Sequence, residues 1–528
     1  MYPPPLPALR PACTRAPESR ARKLPLDAAA CVCVFAWLAA RAAIQSITID
    51  EADTYLAFVG RRYPSHWEAA ANNHVLNSLL MRLSVALFGA SQWSLRLPAL
   101  AGAAVYIAAA LALARRLGGG GFLRGCILAC LLCNPFVMDH LVAARGYSMA
   151  LGFLVACLAL AAREAPVESE LRQCAVCSAA AALSFCANFS FAIADAALLL
   201  LISLRLARRE AARCTDRRER VAACTRVLLA AVLPGALIAL LIVGSVLAEW
   251  AKGGDLVWGA ATMRQTFQSV VRASLFEPNP YMLNPVLLRM AKRASSLLFP
   301  MLAASCALRI ALVATARRKW APPAAFAAAI AWVSGGVAAL ALAGHYLLHR
   351  FFHILLPLDR TAVFLAPLAF LFAGALAAIP IETRAGRMSQ RVATGVLAAF
   401  SIYFLCCLRL TYFRTWQFDA DAAQLYRTLA SCNHRYGVTA VSANWRYVAV
   451  LNFYRAASGD ETLEPVPPGP NVVAWYPPGK DAYVLYLPAD QPFVDREHLS
   501  IVYSDGATGS AVAVPRWAAT RAVRLSSP

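Results

Sequence analysis

The sequence predicts an α-helical polytopic membrane protein with a small C-terminal α/β domain outside the membrane. The 528 residues are 60% hydrophobic and only 15% charged, with a mean hydropathy of +0.55. Apolar runs long enough to cross a bilayer recur along the chain. After residue 411 they give way to short strand-like runs separated by Pro- and Gly-rich turns, which is typical of a small α/β unit.

The excess of positive charge, +21 in total, is explained by a membrane rather than by a nucleic acid. The basic residues lie between apolar runs and not along an amphipathic face, which disfavours a nucleic-acid partner. In a membrane protein such residues mark cytoplasmic loops and contact anionic lipid headgroups. Most of the 16 cysteines lie within apolar runs, where cysteine packs as a small hydrophobe, so no disulfide framework is predicted.

About eleven membrane spans are predicted, with the N-terminus in the cytoplasm. The loops that this arrangement places inside are the most basic short loops of the chain, and one of them holds eight arginines between 205 and 226. An odd number of crossings puts the C-terminus outside. The predicted spans are 27–47, 93–114, 121–139, 147–162, 173–189, 191–206, 226–248, 296–315, 321–344, 362–380 and 392–411.

The chain divides into three predicted parts. Residues 1–25 form a basic, disordered cytoplasmic N-terminus, residues 26–411 the membrane domain, and residues 412–528 an extracytoplasmic α/β domain. Within the membrane domain, the outer loop 48–92 is expected to carry catalytic residues. Its apolar stretch 74–89 is short for a span and is predicted to be a helix lying in the interface.

The C-terminal part predicts one helix followed by strands. Residues 418–431 place apolar side chains on one helical face, and Asp419 is a plausible N-cap for that helix. Four short runs, bounded by turn residues, predict strands at 437–443, 471–477, 481–488 and 499–505.

Three carboxylates, Asp50, Glu51 and Asp53, follow directly on the first predicted span. Helix capping accounts for them as well as catalysis does: Asp50 can serve as an N-cap, with Asp53 three positions later completing a variant of the capping box. A cap and a catalytic base are compatible roles for one residue. The sequence leaves both open.

A second polar group, Asp139, His140, Arg145 and Tyr147, lies at the outer end of one predicted span and the start of the next. Ionisable groups at that depth are costly and usually face a cavity or a partner. One interpretation is an Asp139–Arg145 ion pair that closes the turn. The other is a functional site.

A third polar group interrupts an apolar region on the same outer face. His345, His349 and His353 share one helical face, so a zinc site is conceivable, and a divalent metal stays open while no cofactor is assigned. The alternative is a cationic rim, with Arg360, that holds a phosphate. Acids that accept a proton and arginines that hold an anion suit group transfer from a membrane-borne phosphate donor to an acceptor hydroxyl or amine.

A series of short motifs follows the first predicted span: Asp50-Glu51, His74, Phe88-Gly89, Trp93, Arg96-Leu97-Pro98 and Arg145-x-Tyr147. With these motifs, residues 26–165 resemble the GT-C class of glycosyltransferases that use lipid-linked sugars, in particular the protein O-mannosyltransferase and aminoarabinose-transferase branch (glycosyltransferase family 39-like). A weaker likeness extends to residue 411, where "PLDRTAVFLAPL" is similar to an Arg-containing segment of the family. Two departures stand out: Val75-Leu76 replaces two prolines, and Ala143 occupies the position of a family acid.

The resemblance implies a GT-C-like fold and an inverting transfer from a polyprenyl-phosphate sugar to a lipid, polysaccharide or protein acceptor. It implies Asp50 as general base, Glu51 as the residue that orients Asp50 or binds the sugar, and Asp139 as a possible second acid. It further implies Arg145 and Arg360 for the lipid phosphate, and His74 and Tyr147 for the cavity wall. His345, from the third polar group, is a further candidate for substrate binding.

Two other functions remain open at this point: a transporter or flippase of lipid-linked saccharides, and a structural assembly protein whose tail recruits partners. The transporter class usually places polar residues near the bilayer midplane, often within inverted repeats. Here they cluster on one face, which favours the transferase. The Ala- and Arg-rich composition indicates a bacterial inner membrane.

Overall fold

The computed structural model describes residues 25–60, 67, 73–117, 120–161, 167–250, 258–280, 282–315, 322–467, 476–477 and 479–515. Almost all of the predicted N-terminal segment 1–25 lies outside these ranges. The membrane part consists of fifteen helices among the described residues: α1 Leu26–Ile44, α2 Ile49–Thr54, α3 Val75–Phe88, α4 Gln92–Leu117, α5 Gly120–Leu132, α6 Pro135–Val142, α7 Tyr147–Ala161, α8 Val167–Ala187, α9 Ala192–Ala211, α10 Arg217–Trp250, α11 Met263–Ser274, α12 Pro285–Thr315, α13 Pro322–Phe352, α14 Leu365–Ala378 and α15 Arg384–Cys406.

Every one of the eleven predicted spans falls on a helix, but the count of eleven is not confirmed. Eight described helices are long and apolar enough to cross a membrane, and α5 with α6 makes a ninth if this pair, bent by 55°, is one span. The bend lies at Asn134 and Pro135, where the Asn134 side chain caps α6 by accepting a hydrogen bond from Phe136 N at 2.9 Å. The chain is an integral membrane protein of polytopic helical architecture, as predicted.

The short helix α2 carries the three acids, and its cap differs from the prediction. Thr48 is the N-cap: its hydroxyl accepts from Glu51 N at 3.2 Å, and Glu51 Oε2 accepts from Thr48 N at 2.9 Å. The prediction of Asp50 as N-cap with Asp53 at the third position is therefore wrong. Thr48 is extended and starts the helix two residues earlier, which frees the Asp50 side chain for other contacts.

The C-terminal domain is α/β, as predicted. Its sheet has the strand order β1-β2-β4-β3, with β1 parallel to β2 and the other pairs antiparallel. Strand β4 and the helices α17 and α18 were not predicted, and most of the predicted strand 471–477 lies outside the described residues. The elements are α16 Ala422–Tyr436, β1 Val441–Ala443, α17 Trp445–Ser458, β2 Ala482–Tyr486, α18 Leu487–Arg496, β3 Leu499–Ser504 and β4 Ser510–Pro515.

The predicted cap of the first helix in this domain is wrong. Helix α16 begins at Ala422 with Asp421 as N-cap, and Asp419 ends a separate 3-10 turn, Gln417–Asp419. The Asp419 carboxylate instead accepts a hydrogen bond from Ile49 N of α2 at 2.7 Å. The domain thus contacts the acid-bearing helix directly, and a shared core joins Ile47 and Ala52 to Leu425 and Tyr447.

Candidate active site

A cavity of about 430 Å³ lies beside α2, among α7, α9 and α13 and the segment 354–361. Five residues that the sequence singled out line it together: His74, Arg145, Tyr147, His345 and Arg360. The remaining wall is largely apolar and includes Phe185, Phe189, Leu247, Trp258, Leu348 and Leu355. Polar and apolar side chains therefore line the same cavity.

Asp50 does not itself line this cavity, but it contacts two arginines that do. Its Oδ2 accepts a hydrogen bond from Arg360 Nη1 and another from Trp416 Nε1 at 3.1 Å. Arg145 Nη2 lies 3.8 Å from the same oxygen, and Arg145 Nη1 donates to the Asp50 carbonyl at 3.2 Å. Burial opposes ionisation of Asp50, but Arg145, Arg360 and Trp416 outweigh it and hold the pKa of this carboxyl below its usual value.

A tight backbone turn presents Arg145 and Tyr147 to the cavity. Gly146 between them has a φ of 73°, in the left-handed region that favours glycine. A Cβ at this position would lie 2.0 Å from Ala187 O and 3.3 Å from His74 Cβ. The Arg-x-Tyr pattern thus needs glycine at its centre.

Replacing Gly146 with Ala should prevent accumulation of a folded, monodisperse protein. The methyl group overlaps the backbone of Ala187, and the left-handed conformation adds about 1–2 kcal/mol for an L-residue. Size-exclusion chromatography of a fluorescent fusion measures this. Gly395→Ala is the matched control, because a Cβ at Gly395 of α15 meets nothing within 4 Å. A wild-type elution profile for Gly146→Ala would contradict the requirement.

Arg360 is presented by an irregular segment between α13 and α14. Asp359 has a φ of 47°, a conformation that Asp tolerates better than most residues, and it starts the 3-10 turn Asp359–Ala362. Asp359 N donates to Ser269 Oγ of α11 at 2.9 Å, and Leu358 N donates to Thr361 Oγ1 at 2.8 Å. These bonds fix the turn from which Arg360 reaches Asp50.

Glu51 lies in a closed ion pair with Arg96, away from the cavity. Both side chains are fully buried, and Arg96 Nη2 and Nε donate to Glu51 Oε2 at 2.7 Å and Oε1 at 2.9 Å. The other Arg96 donors bond to the carbonyls of Ala42, Gln45 and Ser46 at the end of α1, and Glu51 Oε1 also accepts from Ala144 N. Glu51 therefore joins α1, α2, α4 and the turn before Arg145. Of its two implied roles, this geometry suits orienting Asp50.

The ion-pair partner of Asp139 is not Arg145, the partner that the sequence suggested. Its Oδ1 pairs with Arg41 Nη2 of α1 at 2.6 Å, and its Oδ2 accepts from Arg414 N at 2.8 Å. Because Arg145 pairs with Asp50 instead, the interpretation of an Asp139–Arg145 ion pair is wrong. Asp139 is not among the residues that line the cavity, and a role as second acid stays a prediction.

The three histidines do not assemble into a metal site in the described residues. His345 stacks on Phe364 with ring centroids 6.2 Å apart, and His349 Nδ1 bonds to Ile354 O at 3.0 Å. His353 lies beyond the end of α13 with a φ of 57°, so it leaves the helical face that the spacing predicts. No group of three His, Cys, Asp or Glu in the described ranges could hold a metal ion. The carboxylates of Asp50, Glu51 and Asp139 each have an arginine partner.

Aromatic rings connect the cavity wall to the C-terminal segment. The His140 ring lies 4.9 Å from that of Tyr147 and 6.1 Å from that of Trp416, and His74 lies 5.5 Å from Tyr147 on the other side. Trp416 is the residue that the sequence analysis missed. The only signal was an aromatic residue just after the last predicted span, in a part of the chain that the resemblance does not cover.

The fold and the site define an integral membrane protein in which two arginines line a large, mostly apolar cavity and both contact one carboxylate, that of Asp50. No protein-family model matches the chain, and no curated protein matches it by sequence. The structure is similar to ArnT from Cupriavidus metallidurans bound to undecaprenyl phosphate, with 12% identity, a TM-score of 0.48, and coverage of 93% of this chain and 97% of that one.

The apo state of the same ArnT is similar over the same shares of both chains, at 13% identity and a TM-score of 0.40. The resemblance in the sequence of this chain is also to GT-C glycosyltransferases, in the branch that includes the aminoarabinose transferases.

Proposed function

We propose that this protein is a membrane glycosyltransferase that moves a sugar, with inversion, from a polyprenyl-phosphate donor to an acceptor hydroxyl or amine. The observation that carries the proposal is the contact of Asp50 with Arg360 and Arg145, two arginines that line the 430 Å³ cavity. A base, a cationic pair and an apolar wall are the parts that such a transfer needs.

The two arginines suit the phosphate of the donor. A guanidinium presents several N–H donors in a plane and binds phosphate oxygens in a bidentate manner. Asp50 neutralises only one of the two positive charges, so the pair retains an excess of one positive charge toward the cavity. The aromatic and aliphatic side chains of the same cavity, including Phe185, Leu247 and Leu355, suit the first units of a prenyl chain.

Two histidines on the cavity wall suit the sugar. The Nε2 atoms of His74 and His345 are buried and have no hydrogen-bond partner among the described residues. Buried polar atoms are normally paired, so an unpaired atom at a cavity suits a ligand hydroxyl group. Tyr147, between His74 and His140, completes this polar part of the wall.

The proposed reaction is a single displacement at the anomeric carbon. Asp50 takes the proton of the acceptor hydroxyl or amine while the acceptor atom attacks the face opposite the phosphate, which inverts the configuration. The bond between the anomeric carbon and the phosphate oxygen breaks, and the released charge stays on the lipid phosphate beside Arg145 and Arg360. Because these arginines lower the pKa of Asp50, its carboxylate is ionised at neutral pH and can accept a proton.

We place the reaction on the extracytoplasmic face of a bacterial inner membrane, with the N-terminus in the cytoplasm and the C-terminal domain outside. The basic loops, above all the eight arginines between 205 and 226, support this orientation. The acceptor is a lipid, a polysaccharide or a protein. A transporter of lipid-linked saccharides is the second candidate, but Tyr147 and Arg360 lie at helix starts rather than at the middle of spans, which favours the transferase.

Replacing Arg360 with Gln should weaken the binding of undecaprenyl phosphate by about 10- to 100-fold, because a charge-assisted hydrogen bond contributes roughly 1.5–3 kcal/mol. The measurement is a titration of purified protein in nanodiscs, followed by transfer assays with a panel of labelled undecaprenyl-phosphate sugars. Arg350→Gln is the matched control, since Arg350 is exposed at the end of α13 and does not line the cavity.

Two results would contradict the proposal. One is equal affinity of wild type and Arg360→Gln for undecaprenyl phosphate. The other is passage of intact labelled lipid across a proteoliposome membrane with no sugar bonded to any acceptor, which would support the transporter.

A further inference from the structure

The segment between α15 and α16, residues 407–421, begins the C-terminal domain and extends to the candidate active site. It contacts Asp50 through Trp416 and the first residue of α2 through Asp419. Neither residue belongs to the region that resembles known glycosyltransferases. Both are nearly inaccessible to solvent, at 3% and 1% exposure, so their contacts are built into the fold.

Trp416 holds one oxygen of the Asp50 carboxylate. Its Nε1 donates to Asp50 Oδ2 at 3.1 Å, and indole N–H is a donor only, so the bond depends on an acceptor at that point. The ring is fixed by an edge contact with Phe413, at 5.8 Å between centroids, and by His140 at 6.1 Å. The Arg360 guanidinium lies 6.0 Å from the ring centroid. The ring therefore orients the carboxylate beside the cationic pair.

Asp419 holds the backbone that carries Asp50. Its Oδ2 accepts from Ile49 N at 2.7 Å, and Ile49 is the first residue of α2. N–H groups in the first turn of a helix lack partners within the helix, so this side chain satisfies one of them. Burial, followed by the charges of Asp50 and Glu51, raises the pKa of Asp419 well above its usual value.

Further bonds connect the same segment to the end of α1. Ser46 Oγ donates to Ala420 O at 2.8 Å, and Gln45 Nε2 donates to Tyr412 O at 3.0 Å. The chain immediately before α2 is thereby fixed by the same segment that contacts α2 itself. The position of Asp50 consequently depends on how this segment and the rest of the domain are folded.

We infer that Trp416 and Asp419 are positioning residues for Asp50, and that the C-terminal domain is part of the active site of this transferase. Trp416 sets the orientation of the carboxylate, and Asp419 sets the start of the helix that carries it. The inference rests on the proposed function for the role of Asp50. It adds a function for the domain, which is to fix the geometry of the base.

Replacing Trp416 with Phe tests the orienting bond. The ring packing is kept and the donor is lost, so kcat should fall about tenfold, in line with one hydrogen bond to a charged group. The affinity for undecaprenyl phosphate should stay near that of wild type. The pH below which kcat falls should rise, because the indole N–H stabilises the ionised carboxylate and its loss raises the pKa of Asp50. The control is Trp445→Phe, which removes a 40% exposed tryptophan of the same domain.

This pH shift is assigned to Asp50 because the charged groups around it are known. Arg145 and Arg360 face it from two separate turns, and both remain in the Trp416→Phe variant. The other charged or titratable groups nearby are Glu51 and Asp53 on its own helix, Asp419 on the segment 407–421, His74 and Tyr147 on the cavity wall, and His140 beside Tyr147.

Asp419 is tested with two substitutions. Asp419→Asn keeps a carbonyl oxygen that accepts from Ile49 N and should retain the wild-type kcat, whereas Asp419→Ala removes the acceptor and should lower kcat about tenfold. Equal rates for the two variants would overturn the positioning role of Asp419.

The contact between Trp416 and Asp50 can also be tested by a measurement that does not depend on turnover. In protein with 15N-labelled tryptophan, the Trp416 indole resonance, assigned from its loss in Trp416→Phe, should move with pH in the wild type. In Asp50→Asn it should be displaced and no longer respond to pH. A Trp416 signal that is the same in wild type and Asp50→Asn would overturn the inference.

The failure of this inference differs from failure of the proposed function. An active Asp50→Asn variant would show that Asp50 is not the base and would overturn the proposed function, whatever the indole signal shows. An inactive Asp50→Asn variant, together with wild-type kcat and pH profile in Trp416→Phe, would leave the proposed function intact and overturn only the role of the C-terminal domain.

Discussion

Replacing Asp50 with Asn should lower the rate of sugar transfer by roughly 10²–10⁴-fold, the contribution typical of a positioned general base. Asn fills the same space and keeps one oxygen for Trp416, but it cannot accept a proton from the acceptor. Binding of undecaprenyl phosphate should be unchanged or tighter, because the variant removes a negative charge that pairs with Arg360 and Arg145. Single-turnover transfer and lipid titration measure the two effects separately.

The neighbouring acid on the same helix provides the control. Asp53 is exposed, and desolvation together with the negative charge of Asp50 raises its pKa to about 6. Because the two cavity arginines pair with Asp50, Asp53→Asn should keep a near wild-type rate. Transfer at the wild-type rate in Asp50→Asn, or an equal loss in both variants, would remove Asp50 from the role of base.

The pH dependence of the wild type follows from the pKa of Asp50. This carboxyl must be ionised to accept a proton, and its pKa lies below the ordinary 3.8 in the folded protein. Activity that depends on Asp50 should thus persist as the pH falls to about that value and be lost only below it. In Trp416→Phe the loss should begin at higher pH.

Replacing Glu51 with Gln should destabilise the protein by about 3–5 kcal/mol, because it leaves Arg96 buried without its counter-charge. Both side chains are fully buried, and the carboxylate accepts from Arg96, Thr48 N and Ala144 N. An amide turns an N–H group toward at least one of these donors. Unfolding in mixed detergent micelles, followed by tryptophan fluorescence, measures the change in the free energy of unfolding.

Two further measurements complete this test: a double variant of the buried pair, and a variant of an exposed ion pair as control. Glu51→Gln combined with Arg96→Met should cost less than the sum of the single variants, since no buried charge is left unpaired. Asp27→Asn should leave the free energy of unfolding nearly unchanged, because its partner Arg115 is 40% exposed and solvent screens the pair. Strictly additive costs for Glu51→Gln and Arg96→Met would show that the pair is not coupled.

The helical architecture could be predicted because long apolar runs allow few other structures in a membrane. Each predicted span falls on a helix, and the strands at 441–443, 482–486 and 499–504 lie within predicted runs. The count of eleven spans is not confirmed. The predicted spans 147–162 and 173–189 fall on α7 and α8, which are not among the eight described helices long and apolar enough to cross a membrane, and 121–139 falls on the bent pair α5 and α6.

The cavity residues could be predicted, but their partners could not. His74, Arg145, Tyr147, His345 and Arg360 were chosen by residue type and resemblance, and they meet at one cavity. Pairing is a tertiary property: Asp139 contacts Arg41, which lies 98 positions earlier, while Asp50 contacts Trp416, which lies 366 positions later. Local spacing favoured Arg145 as the partner of Asp139, and it carried no information about contacts over such distances.

The adjacency of Asp50 and Glu51 on α2 links the proposed chemistry to the integrity of the helix bundle. Consecutive residues on a helix point about 100° apart, so one carboxylate reaches the cavity arginines and the next enters the junction of α1, α2 and α4. Any rearrangement of α2 large enough to move the base must also break the bonds between Glu51 and Arg96. A movement of the proposed base would therefore also disrupt the buried contacts that join α1, α2 and α4. We expect adaptation to a new acceptor to occur through changes in the cavity wall rather than through movement of Asp50.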